Sequence, residues 1–261
     1  MKLPIYYVDA FTDTLFSGNP AAVIFSDIND SELMQNIATE NNLSETAFIR
    51  KDGDDFIIRW FAPSCEIDLC GHATLASAFI YFNYINTEEK IFNVKSLKNG
   101  VLTVSKKDDL LLLDFPKDNY KKFDNFQIIQ EAFGIMPNEL YEGRDDILAI
   151  FDNEDCIASL SPNFDLVKEL PHRGIIASAP GNEVDFVSRC FFPSTGVDED
   201  PVTGSAHTTL TPYWSNRLDK KNLTAKQLSK RGGELQCQDN DSRVIIGGKA
   251  CLYMIGSIFI D

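Results

Sequence analysis

Three short strings hold the side chains that could do chemistry: LSETAF (43–48) with Glu45, LCGHAT (69–74) with Cys70, Gly71 and His72, and DEDPVTGSA (198–206) with Asp200, Gly204 and Ser205. A carboxylate set among Leu43, Ala47 and Phe48 can serve as base and then as acid near neutral pH, because apolar burial raises a carboxyl pKa. His72 falls at a helix start, where the dipole lowers an imidazole's pKa, so a neutral ring acting as hydrogen-bond partner or second proton carrier is expected. Asp200, held extended by Pro201, could orient His72 or a substrate amino group, and the Ser205 hydroxyl with nearby backbone N–H groups could bind a carboxylate. Gly71 and Gly204 let the backbone approach a ligand closely. By residue type alone each also has a plain structural explanation: a strand-end acid, a helix cap, an Asp-Pro turn.

Other chemistries lack their residues. No GxGxxG follows a strand, and no GxxxxGK[ST], GxSxG or HExxH occurs. No cofactor is therefore expected. Six cysteines, at 65, 70, 156, 190, 237 and 251, lack the spacing of a disulfide framework and read as reduced thiols. Cys65, Cys70 and His72 are conceivable metal ligands, but they span a loop to a helix with no fourth partner nearby in sequence, so no metal is expected. Gly18-Asn19-Pro20 reads as a turn leading into a strand, which backbone geometry explains without a site role for Asn19.

The elements that must position these residues form an α+β pattern. Strands are expected near 5–8, 21–25, 46–49, 56–61, 101–104 and 110–115, with helices at 31–39, where Ser31 can cap, and at 72–84. A polar stretch, PKDNYKKFDN (116–125), has turn formers and no apolar period, and it reads as the boundary between domains 1–115 and 116–248. The second half shows helices near 126–133 and 205–216 and strands near 147–151, 174–178, 185–192, 243–246 and 249–259. The last of these, about 249–261, could return to the first domain.

The halves echo each other. Residues 55–64 read DFIIRWFAPS and residues 185–194 read DFVSRCFFPS, sharing Asp, Phe, Arg, Phe, Pro and Ser at one offset. After a three-residue insertion, Gly71-His72-Ala73 falls opposite Gly204-Ser205-Ala206. A duplication would give two similar domains facing across a cleft, each offering a helix N-terminus to an anion. Cys70 then has Thr203 as its counterpart, which cannot deprotonate at useful pH, so a two-thiol mechanism lacks half its equipment and Cys70 is expected to be a buried small side chain. Arg59 and Arg189 are also counterparts, most simply pairing with acidic loops.

The chain has 261 residues, 44% of them hydrophobic, with 24 Lys plus Arg against 39 Asp plus Glu, for a net charge of -15. Such a charge repels nucleic acid and anionic membranes, leaving small molecules or further copies of the chain as partners. The N-terminal MKLPIYYVDAF lacks the apolar core and cleavage site of a signal peptide, and no apolar run is long enough for a membrane helix, so a cytoplasmic location is expected.

The strings SGNPAAVIF (17–25), NLSETAFI (42–49), APSCEIDLCGHATLASA (62–78) and DEDPVTGSAHTTLTPYW (198–214) together resemble the phenazine-biosynthesis-like, or PhzF-like, isomerases. The resemblance spans both halves, with no usable motif between about 115 and 173. It implies an α+β fold of two pseudo-symmetric, diaminopimelate epimerase-like domains, each a curved mixed or antiparallel sheet around a central helix, with the active site in the inter-domain cleft and usually a homodimer. It implies a cofactor-free isomerisation, the characterised case being proton transfer between carbons of a cyclic dihydro-hydroxyanthranilate. On that resemblance Glu45 is the catalytic carboxylate, His72 and Asp200 are active-site partners, and Gly71, Gly204 and Ser205 bind a small, carboxylate-bearing, cyclic unsaturated metabolite. The alternatives are an amino-acid epimerase or racemase using Cys70, and a non-catalytic binding protein on the same fold.

Overall fold

The computed structural model describes residues 1–53 and 55–260, and its contacts divide the chain into two compact units, Met1–Asp114 with Gly247–Asp261, and Phe115–Ile246.

In the first unit, β1 (Lys2–Ala10) pairs antiparallel with β2 (Asn19–Phe25). The helix α1 (Ser31–Asn41) then carries the chain to β3 (Glu45–Asp52), which lies parallel to β2 with Ala21 opposite Glu45. Asp30, not Ser31, caps α1: its carboxylate accepts from the backbone N–H groups of Glu32 and Leu33. Ser31 is the first helical residue and its hydroxyl accepts from Arg59. An aspartate one residue earlier adds negative charge at the positive end of the helix dipole, which a serine does not.

β4 (Asp55–Phe61) runs antiparallel to β3 and to the short β5 (Glu66–Ile67). The helix α2 (Gly71–Ile80) follows and continues as a π-helical turn, Tyr81–Ile85. Every residue of α2 except Phe79 is buried, and the helix packs on β2, β1 and β3. Its small side chains, Gly71, Ala73, Ala76, Ser77 and Ala78, allow that close approach. β6 (Ile91–Ser96), parallel to β4, pairs with β7 (Gly100–Lys107), and β7 pairs with β8 (Leu110–Pro116). The C-terminal strand, Ala250–Phe259, pairs antiparallel along β1.

The second unit repeats this order. The stretch expected to be a featureless linker is tied down at several points: Lys121–Lys122 forms β9, paired with β10 (Glu139–Glu142), and the Asp118 carboxylate accepts from the Arg144 N–H and the Thr209 hydroxyl. Polar residues here satisfy backbone groups, and apolar periodicity does not register that role. After α3 (Phe126–Phe133), β10 pairs antiparallel with β11 (Asp146–Ile150). The short helices α4 (Glu154–Ser159) and α5 (Phe164–Lys168) lead to β12 (Gly174–Pro180), parallel to β11 with Asp146 opposite Gly174.

β13 (Phe186–Phe192) is antiparallel to β12 and to β14 (Val197–Asp200) and parallel to β15 (Asn222–Gln227). The helix α6 (His207–Leu218) sits between β14 and β15 in the chain, as α2 sits between β5 and β6. It begins two residues later than its apolar period predicts, because residues 203–206 form a turn closed by the His207 N–H on the Gly204 carbonyl. β16 (Gly233–Asn240) pairs with β15, and β17 (Arg243–Gly248) and β18 (Ala250–Phe259) follow.

The pairing senses coincide step for step between the units. They extend to side chains: Arg59 makes a two-pronged ion pair with Glu66 and lies 5.0 Å from the Phe61 ring, while Arg189 does the same with Glu199 and lies 5.0 Å from the Phe191 ring. Both arginines therefore have the structural role read from the repeat.

Candidate active site

The first junction gathers four polar side chains from three elements. Glu45 opens β3, Cys70 precedes α2, His72 lies in its first turn, and Asn19 opens β2. The His72 Nε2 stands 2.8 Å from the Glu45 Oε2, and the Asn19 Nδ2 stands 3.1 Å from the His72 Nδ1. The Cys70 Sγ lies 3.5 Å from Nδ1 and 3.9 Å from Nε2 of the same ring. His72 is 6% exposed and Glu45 16%, so the ring is sealed while the carboxylate keeps an opening. The Glu45 Oε2 is buried and, despite that close contact, makes no hydrogen bond of good direction.

Parallel pairing brings the starts of β2 and β3 together, with Ala21 facing Glu45 and Asn19 two residues before Ala21. A helix start packed on those strands then delivers the imidazole between them. Asn19, explained as a turn residue by the sequence alone, contacts the candidate site: its amide nitrogen lies at the ring nitrogen that does not face Glu45. A hydrogen bond across 53 positions has no local signal.

The electrostatics correct one expectation. Burial works against a charged His72, but its contacts with Cys70 and Glu45 outweigh it and raise its pKa; while the thiol keeps its proton, the Glu45 carboxylate supplies the charge that does so. The helix dipole, expected to keep the ring neutral, loses to a carboxylate at contact distance, because Coulomb energy falls with separation and the dipole is diffuse. Burial, reinforced by the Glu45 charge, pushes the Cys70 thiol up to about 11. Cys70 is thus buried as expected, and protonated at neutral pH, but it touches the imidazole and is more than a filler.

The second junction is built from hydroxyl, amide and paired charged groups around Asp200. Asp200 ends β14, and its carboxylate accepts from the Thr203 hydroxyl at 2.5 Å. The Gln227 side chain ties the turn together, accepting from the Thr203 N–H and donating to the Asp200 carbonyl. Gly204 closes the turn before α6, and the Ser205 hydroxyl accepts from Arg173 at 3.3 Å. Arg173 grips the buried Asp146 with two hydrogen bonds and lies 4.6 Å from the Phe192 ring. Burial pushes the Asp146 carboxyl up against the pull of Arg173; it also opposes the charge on Arg173, which Asp146 more than offsets. Sequence reasoning passed over both, because they lie in the stretch without motifs.

Glu45, Gly71 and His72 therefore meet in the first unit, and Asp200, Gly204 and Ser205 in the second. Within the first unit, both ring nitrogens of His72 have partners, Asn19 and Glu45.

The ladders also identify the counterpart of Glu45. Phe48 pairs with Arg59 and Ala177 with Arg189, so stepping back three residues sets Glu45 against Gly174 and Ala21 against Asp146. A Cβ at Gly174 would lie 2.0 Å from the Phe191 carbonyl oxygen, so no side chain fits there. The positions answering to Glu45, Cys70 and His72 are thus Gly174, Thr203 and Ser205, and none titrates near neutral pH.

The Phenazine biosynthesis-like (PhzC-PhzF) family profile matches residues 8–256. An uncharacterized isomerase of Pseudomonas aeruginosa is 45% identical over 260 residues, covering 99% of each chain. The crystal structure of a phenazine biosynthesis protein PhzF family member from Enterococcus faecalis superposes with a TM-score of 0.96 at 45% identity over the whole of both chains. A probable proline racemase from Agrobacterium radiobacter shares the fold alone, with a TM-score of 0.60 at 10% identity over 99% of this chain and 93% of that one. The repeated α+β units and these relatives define an isomerase on an epimerase-like fold. The chain belongs to the phenazine biosynthesis-like family.

Among the described residues, no helix is long and apolar enough to cross a membrane.

Proposed function

We propose that this isomerase moves a proton between carbons of a small, carboxylate-bearing, unsaturated cyclic metabolite, with Glu45 as the single proton carrier. One observation carries the reading: the acid/base groups are concentrated at one junction, and the repeat supplies glycine, threonine and serine at the matching positions of the other. A second acid/base group is lacking at those matching positions, and this reading assigns the nearby Asp200 to substrate binding.

In the proposed reaction the Glu45 carboxylate removes a proton as a C–H bond breaks, and the electron pair spreads into the adjacent unsaturation. The proton then returns from Glu45 to another carbon, with no net redox change. His72 Nε2, 2.8 Å from Oε2, stabilises the carboxylate while it is ionised. Asn19 keeps the ring aimed. Asp200, Gly204 and Ser205 bind the substrate's polar groups, and Arg173 steadies the Ser205 hydroxyl. A homodimer, as the resemblance implies, and a cytoplasmic location are part of the same proposal.

A second reading is supported by the 3.5 Å contact between Cys70 and His72: epimerisation with Cys70 as one of two bases. A thiol with a pKa near 11 is a poor base at neutral pH, which favours the first reading.

Proton NMR in D2O distinguishes them, using a panel of unsaturated cyclic and amino-acid carboxylates that includes the dihydro-hydroxyanthranilate. Deuterium incorporation or isomer formation is expected with wild type and Cys70→Ala and not with Glu45→Gln. Exchange that survives Glu45→Gln but disappears in Cys70→Ala would transfer the role to the thiol. Tight binding without any exchange would favour a binding protein.

A further inference from the structure

In a chain of net charge -15, a carboxylate-bearing substrate calls for a cation aimed at it. At the first junction the His72 ring is sealed, and both of its nitrogens have partners in Glu45 and Asn19. Arg59 and Arg189 are only 11% and 13% exposed, and each is engaged in a two-pronged pair with its own glutamate. Arg173, directly before β12, differs: 34% of its side chain is exposed. We propose that the Arg173 guanidinium, together with the Ser205 hydroxyl, anchors the substrate's carboxylate and so makes the enzyme select acids. This deepens, and rests on, the reading of the site as one for a carboxylate-bearing metabolite.

The geometry of a guanidinium shows which donors remain. It holds five N–H groups in one plane. The Asp146 carboxylate takes the edge formed by Nε and Nη2. The second Nη2 hydrogen therefore points along the edge that Nη2 shares with Nη1, and there the Ser205 Oγ accepts it at 3.3 Å. Among the described residues, neither the Arg173 Nη1 nor the Ser205 hydroxyl hydrogen has an acceptor. An Nη1 hydrogen and the Ser205 hydroxyl thus lie open on one edge, a pair of donors for the two oxygens of a carboxylate.

The arginine is fixed before any ligand arrives. Its backbone N–H donates to the Asp145 carbonyl, its carbonyl accepts from the Ser194 hydroxyl, and the Phe192 ring lies 4.6 Å from the guanidinium carbon. Such preorganisation removes the entropy cost of ordering a long side chain on binding. Asp146 offsets part of the charge, yet a carboxylate on the open edge stands closer to the guanidinium nitrogens than to the Asp146 oxygens on the other edge. Attraction therefore exceeds repulsion. The neighbouring Asp145 is itself paired with Arg144 at 2.8 Å.

The test compares benzoate with benzamide, unreactive rings that differ in charge at the anchored group, by calorimetry on the full chain. Wild type should bind benzoate about tenfold more tightly or better, the usual worth of a hydrogen bond to a charged group. The double variant Arg173→Gln/Asp146→Asn, which leaves no lone buried charge, should lose that preference and keep its benzamide affinity. A merely structural role for the pair would weaken both ligands alike. If the double variant melts far below wild type, phenylglyoxal labelling of the wild type decides: benzoate, and not benzamide, should protect Arg173, read by peptide mass spectrometry. No acid preference in the wild type, a preference that a folded double variant retains, or Arg173 labelling that benzoate leaves unchanged overturns the anchor. Each of those results leaves Glu45-dependent exchange standing. Conversely, an Arg173-dependent acid preference without Glu45-dependent exchange retains the anchor and removes the proton-carrier reading.

Discussion

The two loop-to-helix junctions share a scaffold and differ in what they can ionise. Each has an arginine on its central strand, paired to a glutamate from the next short strand and laid over a phenylalanine two residues on. Even the first helical turns correspond: the Thr74 hydroxyl donates to the Cys70 carbonyl, and His207 Nδ1 bonds the Thr203 carbonyl at the matching place. Yet one junction brings carboxylate, thiol and imidazole into contact, while the other sets the Asp200 carboxylate against the Thr203 hydroxyl and the Ser205 hydroxyl against the Arg173–Asp146 pair. The shared frame is one of strand pairing, in which a change of register would turn every side chain to the other face, while individual side chains at the junctions can differ without disturbing it. A single-carboxylate proton transfer is what such asymmetry permits.

The largest expected effect follows from Glu45. Glu45→Gln should slow carbon-bound exchange by about 10^2- to 10^4-fold, the usual worth of general acid/base catalysis, while Thr203→Val at the other junction should leave the exchange rate within about tenfold. Comparable losses measured by the same NMR assay would break the asymmetry.

Gly174→Ala tests whether the second unit could ever have carried an acid at that position. Its Cβ would meet the Phe191 carbonyl at 2.0 Å and the Phe192 ring at 2.6 Å, so a loss of about 3 kcal/mol is expected in urea unfolding. A variant as stable as wild type would mean that the ladder yields and the missing side chain is historical chance.

The two buried histidines should impose opposite pH dependences on stability. Burial, partly opposed by the Thr203 carbonyl, lowers the His207 pKa to about 4. The unfolded chain then binds the extra proton first, so this stability is present above about pH 6.5 and is lost as pH falls toward 4, by about 3 kcal/mol in all. His72 has a raised folded pKa, so its contribution is complete below about pH 6.5 and is lost as pH rises through the folded value. Chemical denaturation across pH 4 to 8 with His207→Gln should flatten the acidic limb alone. Flattening of the alkaline limb as well would contradict this assignment.

The smallest effect concerns the cap. Asp30→Ala should cost about 1 kcal/mol, and Asp30→Ser should recover most of it, measured as a shift in the unfolding midpoint.

Much of this was legible in the chain. The alternation of β4 and β13, the Arg-Phe-Pro-Ser echo and the apolar run of α3 are local patterns, and each corresponds to an element of the structure. Strands such as β6 and β16 were harder to read, because exposed Ile91 and Lys95, or buried Asp239, blur the apolar period. The site was half legible. Glu45, His72, Asp200 and Ser205 sit in recognisable strings; Asn19 sits in one as well, SGNPAAVIF, but reads there as a turn residue, and Arg173 and Asp146 sit in none, since what distinguishes these three is a partner far along the chain.

The sequence by itself determined the repeat, the motif residues and the kinds of chemistry open to them, because composition and short-range spacing are properties of the chain alone. Tertiary structure alone decided that Asn19 and Glu45 flank one imidazole, that this imidazole keeps its proton more readily than its helix position suggests, and that Gly174 stands where a second Glu45 would be. Each depends on ladder register and on distances between residues remote in sequence, and electrostatic energy responds to those distances, not to the separation along the chain.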